Sequence, residues 1–134
     1  VIEFAYQGPL LRFNGDKIII AITGDVIFKL IKKDKEIDGN CYESYQLEHG
    51  DKIDIISTNK SVYGYMAISG DLELKFQWGS CSINTNARIG SNEGKKLAIG
   101  QKINIMEKQK NKLKKCGTTN AIVLPLLVQK CTMI

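Results

Sequence analysis

Four small residues in succession, Gly79-Ser80-Cys81-Ser82, place two hydroxyls and a thiol after a glycine. In a loop such a run can turn side-chain and backbone donors toward an anion, or toward a carbonyl that gains charge in a reaction. The same residues can instead hydrogen-bond their own loop, and on the residues alone this plainer reading is favoured. Cys81 would serve as a nucleophile only if a neighbour lowered its pKa, and the sequence offers Arg88 or Lys95 for that after folding. A second glycine-punctuated run, Gly90-Ser91-Asn92-Glu93-Gly94-Lys95, is not a phosphate-binding P-loop. Its glycine spacing is wrong and no strand and helix are expected to flank it. Trp78 stands directly before Gly79 and reads as a core anchor rather than the wall of a ligand pocket.

The other chemistry-bearing residues are scattered. His49 is the only histidine, in a turn between Glu48 and Gly50, and is expected to be exposed; no nucleophile and orienting group can be assigned to it. One histidine and four dispersed cysteines (Cys41, Cys81, Cys116, Cys131) spell no metal site and no redox pair. The even cysteine count permits two disulfides, but free thiols are expected. Glu3, Asp25, Asp71 and Glu73 lie near turns, and only the last two bracket the loop of interest. No pair of them can be set at a glycosidase-like separation.

Strands must position these residues. KIIIAIT (17–23) and VIFKLIKK (26–33) are β-branched and apolar, and Gly24-Asp25 between them predicts a hairpin. IEFAY and LLRF flank a Gln7-Gly8-Pro9 turn, and Asn14-Gly15-Asp16 punctuates again. SYQL, KIDIIS and VYGYMAIS follow; Ile53 and Ile55 alternate with Asp54, which predicts one wet face, and Gly64 predicts a bulge or tight bend. After residues 64 to 103, in which two glycine turns precede another strand, MEKQKNKLKK (106–115) is the one helix candidate, with a thin apolar face. In the closing AIVLPLLV, Pro125 argues against a central strand. Turn signals at short, regular spacing predict an all-β barrel or sandwich.

Charge is uneven along the chain. Residues 1–105 carry 13 Lys and Arg against 13 Asp and Glu, so the net +5 comes wholly from residues 106–134, with six lysines and one glutamate. That describes a basic tail on a neutral body, and the tail has no interleaved aromatics on which bases could stack, so nucleic acid is not an expected partner. No apolar run approaches the roughly 18 residues of a membrane helix, and the first residues lack the order of a signal peptide. A cytoplasmic location is expected, as is a longer parent protein, since the chain begins with Val1.

The order of parts resembles the KipA-type family, also described as allophanate hydrolase subunit 2 or as the C subunit of 5-oxoprolinase, whose domain recurs as the carboxyltransferase domain of urea carboxylase. Tyr65-Met66-Ala67-Ile68 resembles the family's Tyr-Leu-Ala-Val strand, and Gly70 the first glycine of its Gly-Gly-Ile-Asp. Gly79, Ser80 and Ser82 keep the frame of its Gly-Ser-Arg-Ser-Thr, and Gly90, Gly94, Leu97 and Gly100 keep the spacing that follows. Upstream, Glu3, Gly8-Pro9, Phe13, Ala21-Ile22-Thr23-Gly24 and Gly50-Asp51 are similar to the corresponding family segments.

The resemblance covers about residues 2–105 and implies a cyclophilin-like β-barrel, here a partial one, in residues 1–105, with the lysine-rich segment and apolar tail of 106–134 unassigned. It implies a subunit of a multi-subunit, ATP-dependent amide-ring hydrolase acting on 5-oxoproline or an allophanate-like substrate. The implied partners are a KipI-type subunit and a third hydrolase subunit. ATP would be used by the assembled complex, with no cofactor bound by this chain, and the piece alone would be inactive. Gly79, Ser80, Ser82, Gly90 and Lys95 would line the substrate or partner face, with Ser80 and Ser82 as donors. The alternative is a non-catalytic regulatory module that pairs with a KipI-type protein. The departures bear on the choice: Asp71 replaces a glycine, Glu73 an aspartate, Cys81 an arginine, Ile83 a threonine and Lys95 an arginine. A thiol at Cys81 cannot supply the bidentate fork of a guanidinium.

Overall fold

The structure, a computed structural model, describes residues 1–106 and the backbone of 120–123. The body of the lysine-rich helix candidate and Pro125 lie outside the described residues; Met106, expected to open that helix, instead ends a strand. In chain order the strands are β1 (Ile2–Ala5), β2 (Leu10–Asn14), β3 (Lys17–Thr23), β4 (Val26–Lys32), β5 (Lys35–Asp38), β6 (Ser44–Glu48), β7 (Lys52–Thr58), β8 (Tyr63–Ile68), β9 (Asp71–Leu72), β10 (Lys102–Met106) and β11 (Asn120–Val123). Among the described residues no helix is long and apolar enough to cross a membrane.

The strands form two sheets, ordered β1-β8-β3-β6 and β5-β4-β7-β2-β11-β10-β9. Every pairing between strands is antiparallel. The protein is thus mainly β, as expected, but among the described residues neither sheet closes into a barrel, as suits a partial cyclophilin-like fold. Alternation of side chains explains the layering. Ile18, Ile20 and Ile22 of β3 are buried, as are Val26, Phe28 and Leu30 of β4 and Ile53 and Ile55 of β7. They join Phe13, Leu47, Met66, Ile103 and Ile105 in one core cluster between the two inner faces.

Three local expectations are corrected. Gly24-Asp25 does not close a hairpin: β3 pairs with β6 and β8, whereas β4 pairs with β5 and β7 in the other sheet. The glycine turns the chain from one layer to the next, so that Ile22 and Val26 reach the same core from opposite sides. The hairpin that does form joins β4 to β5 through Lys33-Asp34, both at positive φ (46° and 62°), with Lys32 opposite Lys35. Gly64 marks no bulge. It sits in register with Phe4, and a Cβ there would lie 2.4 Å from the Phe4 ring, so its role is to let the ring lie against the backbone. Finally, Asn120–Val123 is a central strand, paired with β2 on one side and β10 on the other. The described pairs of this strand run from Asn120 to Val123.

Candidate functional site

Between β9 and β10 the chain runs from Glu73 to Gln101 with a single 3-10 turn, Asn92–Gly94, yet its backbone is closely determined. Gln77 and Ser80 exchange both backbone hydrogen bonds, 2.9 and 3.0 Å, around Trp78-Gly79. Both turn residues have positive φ, 49° and 77°, the signature of a type I′ turn. This geometry turns Trp78 outward, with 79% of its surface exposed, and overturns the expectation of a core anchor. Phe76, on the arm of the same turn, is 70% exposed.

Beyond the turn, the Ser80 hydroxyl oxygen accepts a hydrogen bond from the Ser82 backbone N–H at 3.0 Å. One lone pair is therefore spent inside the loop, in keeping with the plainer reading, while the Ser80 O–H stays available to donate. Ser80, Cys81 and Ser82 are all exposed. A second small loop follows. Asn84 and Ile89 exchange backbone bonds of 2.9 and 3.1 Å, and the Asn84 side-chain oxygen accepts from the N–H groups of Asn86 and Ala87.

Gly90 and Gly94 staple the two runs together. Both have positive φ, 104° and 67°. A Cβ on Gly90 would lie 2.6 Å from the Ser82 carbonyl oxygen, and one on Gly94 would lie 2.2 Å from the Arg88 carbonyl carbon. The end of the Gly-Ser-Cys-Ser run therefore packs directly on Gly90, so the structure brings Ser82 and Gly90 together. Lys95 is engaged within its own run: its ammonium pairs with the exposed Glu93 carboxylate at 2.7 Å. The hydrogen bond and the opposite charge raise the Lys95 pKa and lower that of Glu93.

Sequence reasoning missed Asn92, the hub of the second run. At φ 57° it donates from its side-chain amide to the carbonyls of Lys95 and Lys96, both at 3.0 Å. Its side-chain oxygen accepts from Gln101 at 2.9 Å, and Gln101 in turn accepts from the Ala98 N–H. An asparagine two residues after a glycine, in a stretch without strand pattern, is the signal that could have located it, because asparagine tolerates the left-handed region.

The loop is anchored to the sheet by Glu73, which accepts from the Asn104 amide at 2.7 Å and donates its own N–H to the Asn104 carbonyl. His49 is exposed in its turn. Cys41 and Cys81 are free thiols, the first half-buried and the second exposed; Cys116 and Cys131 lie outside the described residues. No group of three His, Cys, Asp or Glu residues is placed to hold a metal among the described residues. A groove of about 610 Å³ lies elsewhere, at the corner between β3 and β4, lined by Asp25, Cys41, Tyr42 and Ser61 among others and by none of the predicted site residues.

The family described as "Carboxyltransferase domain, subdomain A and B" matches residues 1–130. The C subunit of the Haemophilus influenzae 5-oxoprolinase is 28% identical over 102 residues, 76% of this chain and 32% of that protein. The chain thus spans about a third of the length of this curated relative. The urea carboxylase of Kluyveromyces lactis superposes with a TM-score of 0.67 at 24% identity, over 81% of this chain and 9% of that one. The K. lactis urea amidolyase gives the same TM-score and identity, over 81% of this chain and 6% of that one. These two likenesses show the fold. With the match running through β1 to β11, the chain belongs to the carboxyltransferase-domain family, subdomain A and B.

Proposed function

We propose that the chain is part of a KipA-type subunit of a cytoplasmic, multi-subunit, ATP-dependent hydrolase that opens a cyclic amide, with 5-oxoproline as substrate. The observation that carries this reading is the likeness to the C subunit of a 5-oxoprolinase across most of the chain. The stapled loop supports it, because hydroxyl donors on a backbone fixed by its own hydrogen bonds are oriented before a ligand arrives. In this reading Gly79, Ser80 and Ser82 face the substrate together with Gly90, while Lys95 and its Glu93 partner border them. ATP is consumed by the assembled complex rather than bound by this chain, and the partners are a KipI-type subunit and a third hydrolase subunit.

Reconstitution by omission tests the proposal. The intact parent subunit, the KipI-type subunit and the third subunit are mixed, and glutamate release from 5-oxoproline is measured alongside ADP. Turnover is expected from the full set and not from the set that lacks the parent subunit. Equal turnover with and without it would remove the subunit from the reaction.

One observation favours a second reading, a regulatory module that binds a KipI-type protein without chemistry. Cys81 is an exposed thiol at the position where the family resemblance calls for a guanidinium. A complex that forms but never turns over in any mixture of subunits would select it.

A further inference from the structure

Residues 90–94 are the crossing point of the long loop, and the Asn92 side chain carries most of the crossing. Its amide nitrogen donates to the carbonyls of Lys95 and Lys96, and its oxygen accepts from Gln101, so both kinds of valence are used. The two carbonyls lead directly into Leu97, which packs against the core cluster. Gln101 stands one residue before β10. Asn92 therefore ties its own segment to the part of the loop that the core and the sheet hold. Its neighbour Ser91 ties the same segment to the other arm, because the Ser91 hydroxyl oxygen accepts from the Lys75 backbone N–H.

From this segment a short relay of contacts reaches the hydroxyls. Gly90 is buried, and the Ser82 carbonyl oxygen would lie 2.6 Å from a Cβ placed on it, so the Ser82 backbone rests on Gly90. The Ser82 N–H in turn donates to the Ser80 hydroxyl oxygen at 3.0 Å, which limits where Ser80 can turn its own proton. No strand runs through Ser80–Ser82 to fix these groups by a ladder. The fixed reference is the 90–94 segment, and Asn92 holds that segment in place.

We infer that Asn92 is a positioning residue for the Ser80 and Ser82 hydroxyls, acting through Gly90 and the Ser82 backbone. This rests on the reading of the loop as the substrate face and adds the side chain that sets its donors before a substrate binds. Donors held in place beforehand stabilise a transition state more than donors that must be gathered during the reaction.

Two variants of the intact parent subunit test it. Asn92→Asp keeps the shape and the acceptor for Gln101 but sets a carboxylate oxygen against the two carbonyls. Asn92→Gly removes the side chain and accepts the φ of 57° without strain. Protection of the Ser82 amide against exchange should fall by about tenfold or more in both. Thermal unfolding should stay close to wild type, since Asn92 lies outside the core cluster. In the reconstituted complex, 5-oxoproline turnover should fall by about tenfold in both. Added to the Ser80→Ala, Ser82→Ala double variant, either change should cost little more, because the groups that Asn92 positions are already gone; a general weakening of the fold would add its full effect. Wild-type Ser82 protection in both variants, or a full further loss in the triple variant, overturns the positioning role and leaves the substrate-face reading standing. Full turnover in Asn92→Gly beside a loss in the serine double variant does the same. Undiminished turnover in the serine double variant, or none in the wild-type complex, overturns that reading and the inference with it.

Discussion

Phe28→Ala is expected to cost about 3–5 kcal/mol of folding stability. Phe28 lies on β4 and is 2% exposed. Its ring meets that of Tyr45 on β6 edge-on, with centroids 5.9 Å apart and planes at 82°. Because β4 and β6 belong to different sheets, this contact joins the two layers. The ring also lies against bare backbone: a Cβ on Gly39 would sit 2.0 Å from it. Replacement by alanine leaves a hole that neither the glycine nor the paired strands can close. Against the roughly 5–15 kcal/mol that holds an ordinary domain folded, the loss is a large fraction. Urea unfolding should show a much lower midpoint with an unchanged slope. A shift worth less than about 1 kcal/mol would mean that the sheets do not pack through this ring.

Gly94→Ala is expected to have the second largest effect, confined to the loop. The new methyl would meet only backbone, the Arg88 carbonyl carbon at 2.2 Å, Arg88 Cα at 2.3 Å and the Ile89 nitrogen at 2.4 Å. None of these is the far end of a flexible side chain, so residues 88–89 must move and the Asn84–Ile89 bridge must open. The left-handed backbone adds about 1–2 kcal/mol of its own. Gly79→Ala provides the contrast, since its φ is also positive at 77° but nothing lies within 4 Å of the added carbon. Amide exchange at Asn84 and Ile89 should quicken by about 30-fold or more in Gly94→Ala and hardly change in Gly79→Ala. Global unfolding should move little in either, because the stapled glycines lie outside the core cluster. Equal exchange in the two variants would contradict the staple.

Much of this fold was legible in the sequence because burial alternates so regularly. KIIIAIT, VIFKLIK and KIDIIST each bury every second residue along most of their length, and the strands fall where that pattern runs. What the pattern could not reveal is which strand pairs with which. Gly24-Asp25 serves equally well to reverse a chain within one sheet or to carry it to the other, and only the shared core decides. The true hairpin turn, Lys33-Asp34, lacks the glycine or asparagine by which such turns are normally found, and β5 after it is exposed along its whole length.

The candidate site was legible as a loop and as an ordered series of glycines, but not as a shape. Nothing in Trp78-Gly79 distinguishes an indole in a core from one held outward, because the distinction lies in the positive φ that Trp78 adopts. Gly90 and Gly94 were visible as spacing. Their physical reason, the approach of the Ser82 and Arg88 backbones, required the folded chain. The short strand Asn120–Val123 was hidden by the proline that follows it.

The proposed role of this stapled loop stands or falls on whether its hydroxyls act on the substrate, which the Ser80→Ala, Ser82→Ala double variant decides. Both side chains are exposed, so the fold and the assembly should survive their loss. In the reconstituted complex, 5-oxoproline turnover should fall by at least about tenfold, in line with the loss of positioned donors, while the subunits still associate. Undiminished turnover in a fully assembled complex would contradict the assignment of the site.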